Sequence, residues 1–495
     1  MKNLTKIIIA FLVFALSVII ISCASSEQNT PNANETQSGS ENPAETTTEI
    51  LKPDIPEVDY NGDTFMFIVH DYGAGATWDS YDIYADEENG DAINDAIYRK
   101  NRTVEEKLNI NIKEFRILDP ISALTKSVLS DDPEYDCAQI GADSAAQMAN
   151  KGYLLFFDQL PYVDLSKPWW DQSVNPYMSL GNNQFSVMGD LTLLDKDGTV
   201  VVLFNKKMAE NYEMENFYDL VKNNKWTMDK YYSLMKMVAT DVNGDGRIGF
   251  DEIAGLVGAP YVGFYFFTTG ETFVEKDKDD FPSLKSPTER GVKVIEKIVG
   301  FMNDKNVSTI AQDLTKDGIP AANVYEDGVY KMFQEDRALF LYNQLIVLRF
   351  IRGMDNDFGI LPAPKFDETQ PKYNSMMTWI SRAIAVPVTV RDRIKTSVII
   401  EALAAEGKYT IIPAYYETTI LNKAIRDEES ADMLDIVFAS RILDTGTVYN
   451  WGGIGLMVDE LLNNPNGFVA KFDSISQKVA TEMEKTIEAF KELES

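Results

Sequence analysis

Thr64-Phe65-Met66-Phe67-Ile68-Val69 is a short apolar run bounded by Asp-rich and Gly-rich segments, which predicts a strand. The segments downstream of it decide the fold class. Asp91 to Leu108 carries Ile93, Ile97, Val104 and Leu108 near helical spacing. Ile110 to Ile117 largely alternates, as a strand does, and Ser122 to Ser130 reads as a helix. Tyr135-Asp136-Cys137-Ala138-Gln139-Ile140 reads as a buried strand, with Cys137 a small core residue, and Ala142 to Asn150 is again helical. Strand alternating with helix predicts a parallel or mixed α/β sheet.

The pattern continues along the chain. Phe185 to Met188, Val200 to Phe204, Ala338 to Tyr342 and Met376 to Pro387 are expected as strands. Met228 to Ala239 is expected as a helix capped by Thr227, and Pro287 to Asn303 as one capped by Ser286. Further helices are expected over Val324 to Glu335, Thr396 to Glu406 and Glu429 to Phe438. Ile475, Val479, Met483, Ile487 and Phe490 form one apolar stripe, so a final docked helix closes the chain.

Composition bounds the function. The chain has 495 residues, 45% of them apolar, and a net charge of −31. That is globular composition, and the length exceeds a single core. The charge argues against nucleic acid, whose binding needs a basic surface, and disfavours polyanions. With one His and two Cys, neither a multi-His metal site nor a disulfide framework is expected.

Lys2 and Lys6 precede an apolar stretch from Ile7 to Ile21, interrupted only by Ser17. It is shorter than the ~20 residues of a membrane span and fits a signal peptide over 1–22. Ile20-Ile21-Ser22-Cys23 resembles the bacterial lipobox. The resemblance implies cleavage before Cys23 and a diacylglyceryl thioether (a palmitate-type anchor) on its sulfur. Two acyl chains make a stable anchor. The expected location is the outer face of the bacterial cytoplasmic membrane. Residues 23–56 are rich in Ser, Thr, Asn, Glu and Pro, and read as a lipidated disordered tether.

Four stretches together resemble the extracellular solute-binding proteins of ABC importers, in the maltose-binding-like class. Leu203-Phe204-Asn205-Lys206-Lys207 resembles that family's Tyr/Phe-Asn-Lys strand end. Asn224-Lys225-Trp226-Thr227-Met228-Asp229 resembles its Trp-containing helix opening, without the usual Pro. Phe333-Gln334-Glu335-Asp336-Arg337-Ala338-Leu339-Phe340 resembles its helix–strand element, with Asp336 and Arg337 where a Gly is usual. Leu361-Pro362-Ala363-Pro364-Lys365 resembles its Leu-Pro-x-Pro turn. The resemblance implies a two-lobed, periplasmic-binding-protein-like α/β fold (type II). Lobe I would comprise 57–190 and 343–403, and lobe II 191–342 and 404–495. Crossings are expected near Gly189–Leu191, Tyr342–Gln344 and Leu403–Lys408. Implied partners are an ABC permease and a small solute, a sugar or oligosaccharide. A monomer is expected, touching the membrane through its lipid alone and no nucleic acid.

Sugar recognition needs aromatic faces and planar polar side chains, carried at strand ends and loops. Asp71, Tyr72 and Trp78 come after the first strand, in the loop that touches ligand in the resembled family. Asp143 comes after the Cys137 strand and either binds a hydroxyl or caps the helix. Tyr261 and Tyr265 stand in an aromatic run where one of them is expected at the ligand. Trp379, Tyr416 and Trp451 complete the expected aromatic set.

Asp241-Val242-Asn243-Gly244-Asp245-Gly246-Arg247-Ile248-Gly249-Phe250-Asp251-Glu252 fits the twelve-residue EF-hand loop. Asp241, Asn243, Asp245, the Arg247 carbonyl and Glu252 are the expected Ca2+ ligands, in a structural role. The Gly-rich stretch after it excludes a long exit helix, hence an EF-hand sensor.

No Gly-x-Ser-x-Gly, His-Glu-x-x-His or Cys–His arrangement is present, so a non-enzyme is expected. A lipid-anchored glycoside hydrolase needs only two carboxylates and stays open as an alternative. So do a peptide binder and a binding protein that reports to a sensor kinase.

Overall fold

The computed structural model describes residues 50–73, 78–378, 380–421 and 428–494. The expected leader, the expected acylation site Cys23, most of the tether and Trp379 lie outside the described residues. Ile55 and Val58 already pack on the core, so the body begins just ahead of residue 57.

The strands in chain order are β1 (Asp63–His70), β2 (Ile110–Ile117), β3 (Cys137–Gly141), β4 (Val200–Asn205), β5 (Ala254–Gly258), β6 (Val274–Lys276), β7 (Pro282–Leu284), β8 (Ser308–Ile310), β9 (Ala338–Gln344), β10 (Phe358–Leu361), β11 (Ser375–Met376), β12 (Arg382–Ala385) and β13 (Arg441–Ile442). They build two main sheets, ordered β12-β3-β1-β2 and β10-β4-β9-β5-β8, and two ribbons, β11-β13 and β6-β7. In the first sheet β1 runs parallel to β2 and β3, while β12 is antiparallel to β3. In the second, β5 is parallel to β8 and β9, while β4 is antiparallel to β9 and β10. This is the two-lobed α/β architecture, one sheet per lobe.

The strands form where apolar runs can be buried on both faces, as parallel sheets require. β3, β4 and β9 are buried throughout. Helices cover both faces. Ala92–Leu108, with Asp91 accepting from the N–H groups of Ile93 and Asn94, packs on one side of the first sheet with Arg393–Tyr409. Thr227 caps Met228–Val238 as its sequence predicts. The Ser286 cap is displaced: Thr288 accepts from Gly291 N–H, and the helix is Glu289–Met302. Phe185–Met188 is no strand; only Val187 bridges, to Ile384. The last helix, Phe468–Glu494, starts earlier than its apolar stripe.

The chain first leaves the first sheet in the stretch from Gly189 to Thr199, which leads from the Val187 bridge to β4. Tyr342–Gln344 is not a crossing. It ends β9, and the chain stays in the second sheet through β10, which pairs with β4. The passage back lies between β11 and β12. Residues 343–403 are therefore not all lobe I. Leu403–Lys408 is likewise no crossing; it lies within Arg393–Tyr409, which packs with Ile411–Leu421 against the first-lobe helix Ala92–Leu108. The chain rejoins the second sheet at Glu428–Ala439, which packs on β10. Gly407, within Arg393–Tyr409, lets that helix approach the first crossing, since a Cβ there would clash with the Asp190 carbonyl oxygen.

Candidate functional site

Both sheets present strand ends to one region. β1 and β3 end at His70 and Gly141, and β12 begins opposite Gly141 with Arg382. β5 and β9 end at Gly258 and Gln344. The carboxyl ends of open α/β sheets are where ligands bind. A cavity of about 490 Å3 opens here, lined by Asp143 from the first lobe, Tyr261, Phe264 and Phe267 from the second, and Met377, Thr378 and Ser381 from the crossing. Loop residues Thr447, Asn450 and Asp459 complete the wall.

Asp143 is not the helix cap. Gly141 holds that position and makes no side-chain bond, leaving the Asp143 carboxylate in the first turn of Ala142–Ala149 and on the cavity wall. Tyr261 precedes the short helix Val262–Phe266, with its ring 4.8 Å from that of Phe264. Tyr265 points the other way. It is buried, stacks on Tyr342 at 3.9 Å and belongs to the core with Tyr231 and Phe301. Tyr261 is the extended N-cap ahead of the helix and Tyr265 is within it, which separates the two tyrosines of the aromatic run.

Asp71 and Tyr72 sit at the rim of the first sheet. Tyr72 stacks on His70 at 3.8 Å, its hydroxyl is 3.4 Å from Arg382 Nη2, and Asp71 lies 3.6 Å from Arg116 Nε. Burial and the nearby Arg382 charge push the His70 imidazole below its ordinary range. Trp78 is partly exposed on the same loop. None of the three lines the cavity. Tyr416 lies on Ile411–Leu421 against Phe438, away from it. Trp451 is buried, stacked on Tyr449 at 4.6 Å with its indole N–H donating to Thr486, so it serves packing. Its neighbour Asn450, in a left-handed turn, reaches the cavity instead.

Arg382 at the rim and Asp459 on the wall escaped the sequence reading. Arg382 and Asp143 both lean on Gly141, whose Cβ would fall 3.5 Å from Arg382 Nη1 and 2.6 Å from Asp143 Oδ1. Asp459 accepts from Gly263 N–H at 2.8 Å, and burial pushes its carboxyl up to about 6. No motif surrounds either Arg382 or Asp459; only the folded chain brings Asp459 to the cavity and Arg382 beside Tyr72.

Behind the cavity, buried charges join the crossing to its surroundings. Asp82 accepts from the N–H groups of Leu193 and Leu194 and from Gln139 Nε2. Asp197 accepts from the hydroxyls of Tyr81 and Tyr415 and pairs with Arg349. Arg441 pairs with both Asp171 and Asp195.

The acidic loop is closed by a bridge between Thr240 and Ile253. Asp241, Asp245 and Glu252 bring one carboxylate oxygen each within 4.8 Å of one another. Asp241 accepts from Gly246 and Gly244 N–H, which holds its carboxyl below the usual range. Asn243 accepts from Asp245 N–H, and the Arg247 guanidinium pairs with Asp317 while its Nε lies 3.7 Å from Asp245 Oδ2. Glu252 accepts from Val242, Asn243 and Gly249 N–H.

No family model matches the sequence, and no curated protein matches it. Solved structures do match. A sugar transporter of Rhizobium etli in an open conformation covers 86% of this chain with 99% of its own, at 12% identity and a TM-score of 0.56. RafE of Streptococcus pneumoniae in its apo form covers 84% with 97% of its own, at 12% identity and 0.54. An ABC substrate-binding protein of Listeria monocytogenes in complex with cycloalternan covers 86% with 99%, at 11% identity and 0.53. The chain has the fold of the ABC solute-binding proteins. Each of these structures matches over nearly its whole length.

Proposed function

We propose that the protein is an exported, lipid-anchored solute-binding protein of an ABC importer that captures a carbohydrate in the cleft between its lobes. The carrying observation is the cavity itself: aromatic faces of Tyr261, Phe264 and Phe267 beside the polar groups Asp143, Thr378, Ser381, Asn450 and Asp459, at the strand ends of both sheets. Sugar rings need both kinds of surface at once. The fold shared with sugar-binding proteins supports the reading. Ligand held by both lobes draws them together by bending at the crossings, which strips water from the hydroxyls and forms the joint surface that a permease recognises. Cys23 would hold the body to the membrane. A thermal-shift screen of the full chain against monosaccharides, oligosaccharides and peptides tests this. Carbohydrates should raise the unfolding temperature; stabilisation by peptides alone overturns it.

One observation favours a second reading. Asp143 and Asp459 face the same cavity, and a carboxylic acid raised to about 6 paired with a second carboxylate is what glycoside hydrolysis uses. Release of new reducing ends from a bound oligosaccharide, abolished by Asp459→Asn, would establish it.

We also propose that the loop Asp241–Glu252 binds Ca2+ for structural reasons. Asp241, Asn243, Asp245, the Arg247 carbonyl and Glu252 would hold the ion. The closely spaced carboxylates support it, because their repulsion is relieved by a divalent cation.

A further inference from the structure

Resting on the carbohydrate reading, we infer that the solute carries a positive charge: the cavity suits an amino sugar, its ammonium held by Asp459 beside the rings of Tyr261 and Phe264. Among the described residues of the wall, the charged side chains are Asp143 and Asp459, with no Lys, Arg or His. The wall is also richer in acceptors than in donors. Thr378 and Ser381 give their hydroxyl protons to the carbonyls of Gly198 and Asp195, so each has only lone pairs left for a ligand. The side-chain donors are the Asn450 amide, whose carbonyl already accepts from Gly455 N–H, and the hydroxyls of Tyr261 and Thr447. A hydroxyl needs both kinds of partner. An ammonium brings three donors and no acceptor, which complements this wall.

Asp459 decides the sign of the charge. It accepts from Gly263 N–H at 2.8 Å, and Gly263 lies between Tyr261 and Phe264, so the acid is fixed to the turn that carries both rings. A cation over an aromatic face is attracted by the ring as well as by the acid. The protein itself supplies no cation to Asp459: burial raises its carboxyl, opposed only by the N–H groups of Gly263 and Val262. The neighbouring charges are engaged elsewhere. Lys305 and Lys316 border an adjoining cavity that shares Tyr261 and Asp459, but they share the one carboxylate of Asp313, at 2.6 and 2.9 Å. Glu460 pairs with Lys471, and Tyr265 is buried in the core. On the helix Glu289–Met302, which packs against this segment, Arg290 pairs with Glu271 and Lys297 with Asp229, while Glu289, Lys293 and Glu296 are exposed. On the first-lobe side Arg382 stands near Asp143, which makes Asp143 the weaker pole. A half-buried carboxylate without a cation gains most from a ligand that brings one.

Isothermal titration of the full chain at pH 7 with glucosamine, galactosamine and mannosamine, each beside its N-acetyl and hydroxyl counterparts, tests this. The amino form that binds should do so about tenfold or more tighter than either counterpart. That advantage should fall about tenfold at pH 5, where the Asp459 carboxyl of the free protein, raised to about 6, is largely protonated. Asp459→Asn, which keeps an acceptor for Gly263 N–H, should bring the ratio of amino to neutral affinity close to one at pH 7. Equal affinity for amino and neutral sugars, or an advantage that survives at pH 5 or in Asp459→Asn, overturns the charged solute while the carbohydrate reading stands. No binding by any sugar, amino or neutral, overturns the carbohydrate reading and the charged solute with it.

Discussion

Glu401 illustrates how single residues hold this molecule in ways the sequence hides. Its carboxylate is buried in the middle of Arg393–Tyr409 and accepts from the indole N–H groups of Trp169 (3.0 Å) and Trp170 (2.9 Å). Burial pushes it up to about 7. Its folded-state value therefore lies above its ordinary one, so the stability it contributes is full below about pH 4.5 and is lost as pH rises through 7. Glu401→Gln, which cannot ionise, should flatten that decline, as urea unfolding at pH 5 and pH 8 will read. Glu401→Ala leaves two buried donors unpaired and should cost about 2–4 kcal/mol at pH 5, and less at pH 8. In the sequence, Trp169-Trp170 is only an aromatic pair and Glu401 only a helical acid. Nothing local announces that they meet, because the partners are 232 and 231 positions apart. The same limit applies to Arg382 and Asp459, whereas Asp143 is legible because its place directly after a strand fixes it at the strand's end.

At the scale of elements, the sequence is legible where burial is uniform. β1, β3, β4 and β9 are apolar runs and β2 alternates, and their strands stand where the pattern puts them. It misleads where an apolar run lacks a neighbour: Phe185–Met188 is buried yet makes only the Val187 bridge. The crossings are hard to place for a related reason. A strand end looks the same whether the chain then leaves the sheet or turns back into it, and after β9 the chain turns back. Gly407 shows how closely these elements approach. Gly407→Ala should destabilise by about 2 kcal/mol, because the clash is with the Asp190 backbone and cannot be relieved by a rotamer change. Chemical denaturation will measure it. The carboxylate cluster of the acidic loop is legible from spacing, because its members lie in one short segment. Ca2+ should raise the unfolding temperature of the wild type; Asp245→Ala should lose the shift. An equal shift in both would remove the metal from the account.

For the molecule as a whole, the decisive ties are charged and buried. Arg441 lies beyond the third passage of the chain and pairs with Asp171, ahead of the first crossing, and Asp195, within it. Arg441→Met leaves both carboxylates without this partner in a buried site and should cost about 3–5 kcal/mol. Since those pairs bind the passages to one another, small-angle scattering of the ligand-free variant should show a broader distribution of dimensions than the wild type. Lobe number and class are legible because repeated strand–helix alternation has few solutions. Which segments belong to which lobe is not, since that depends on pairings hundreds of residues apart, such as β12 with β3.

That last pairing bears on the order of assembly. All five strands of the second sheet lie between residues 200 and 361, uninterrupted by any strand of the first. The first sheet needs Arg382–Ala385 to cover the flank of β3. A chain delivered amino end first can thus complete its inner sheet while the earlier one still shows a bare, apolar border. Until residue 385 arrives, that border is open to pairing with another molecule. The interval is a property of the chain's itinerary, and it marks the stage at which helper proteins would matter most.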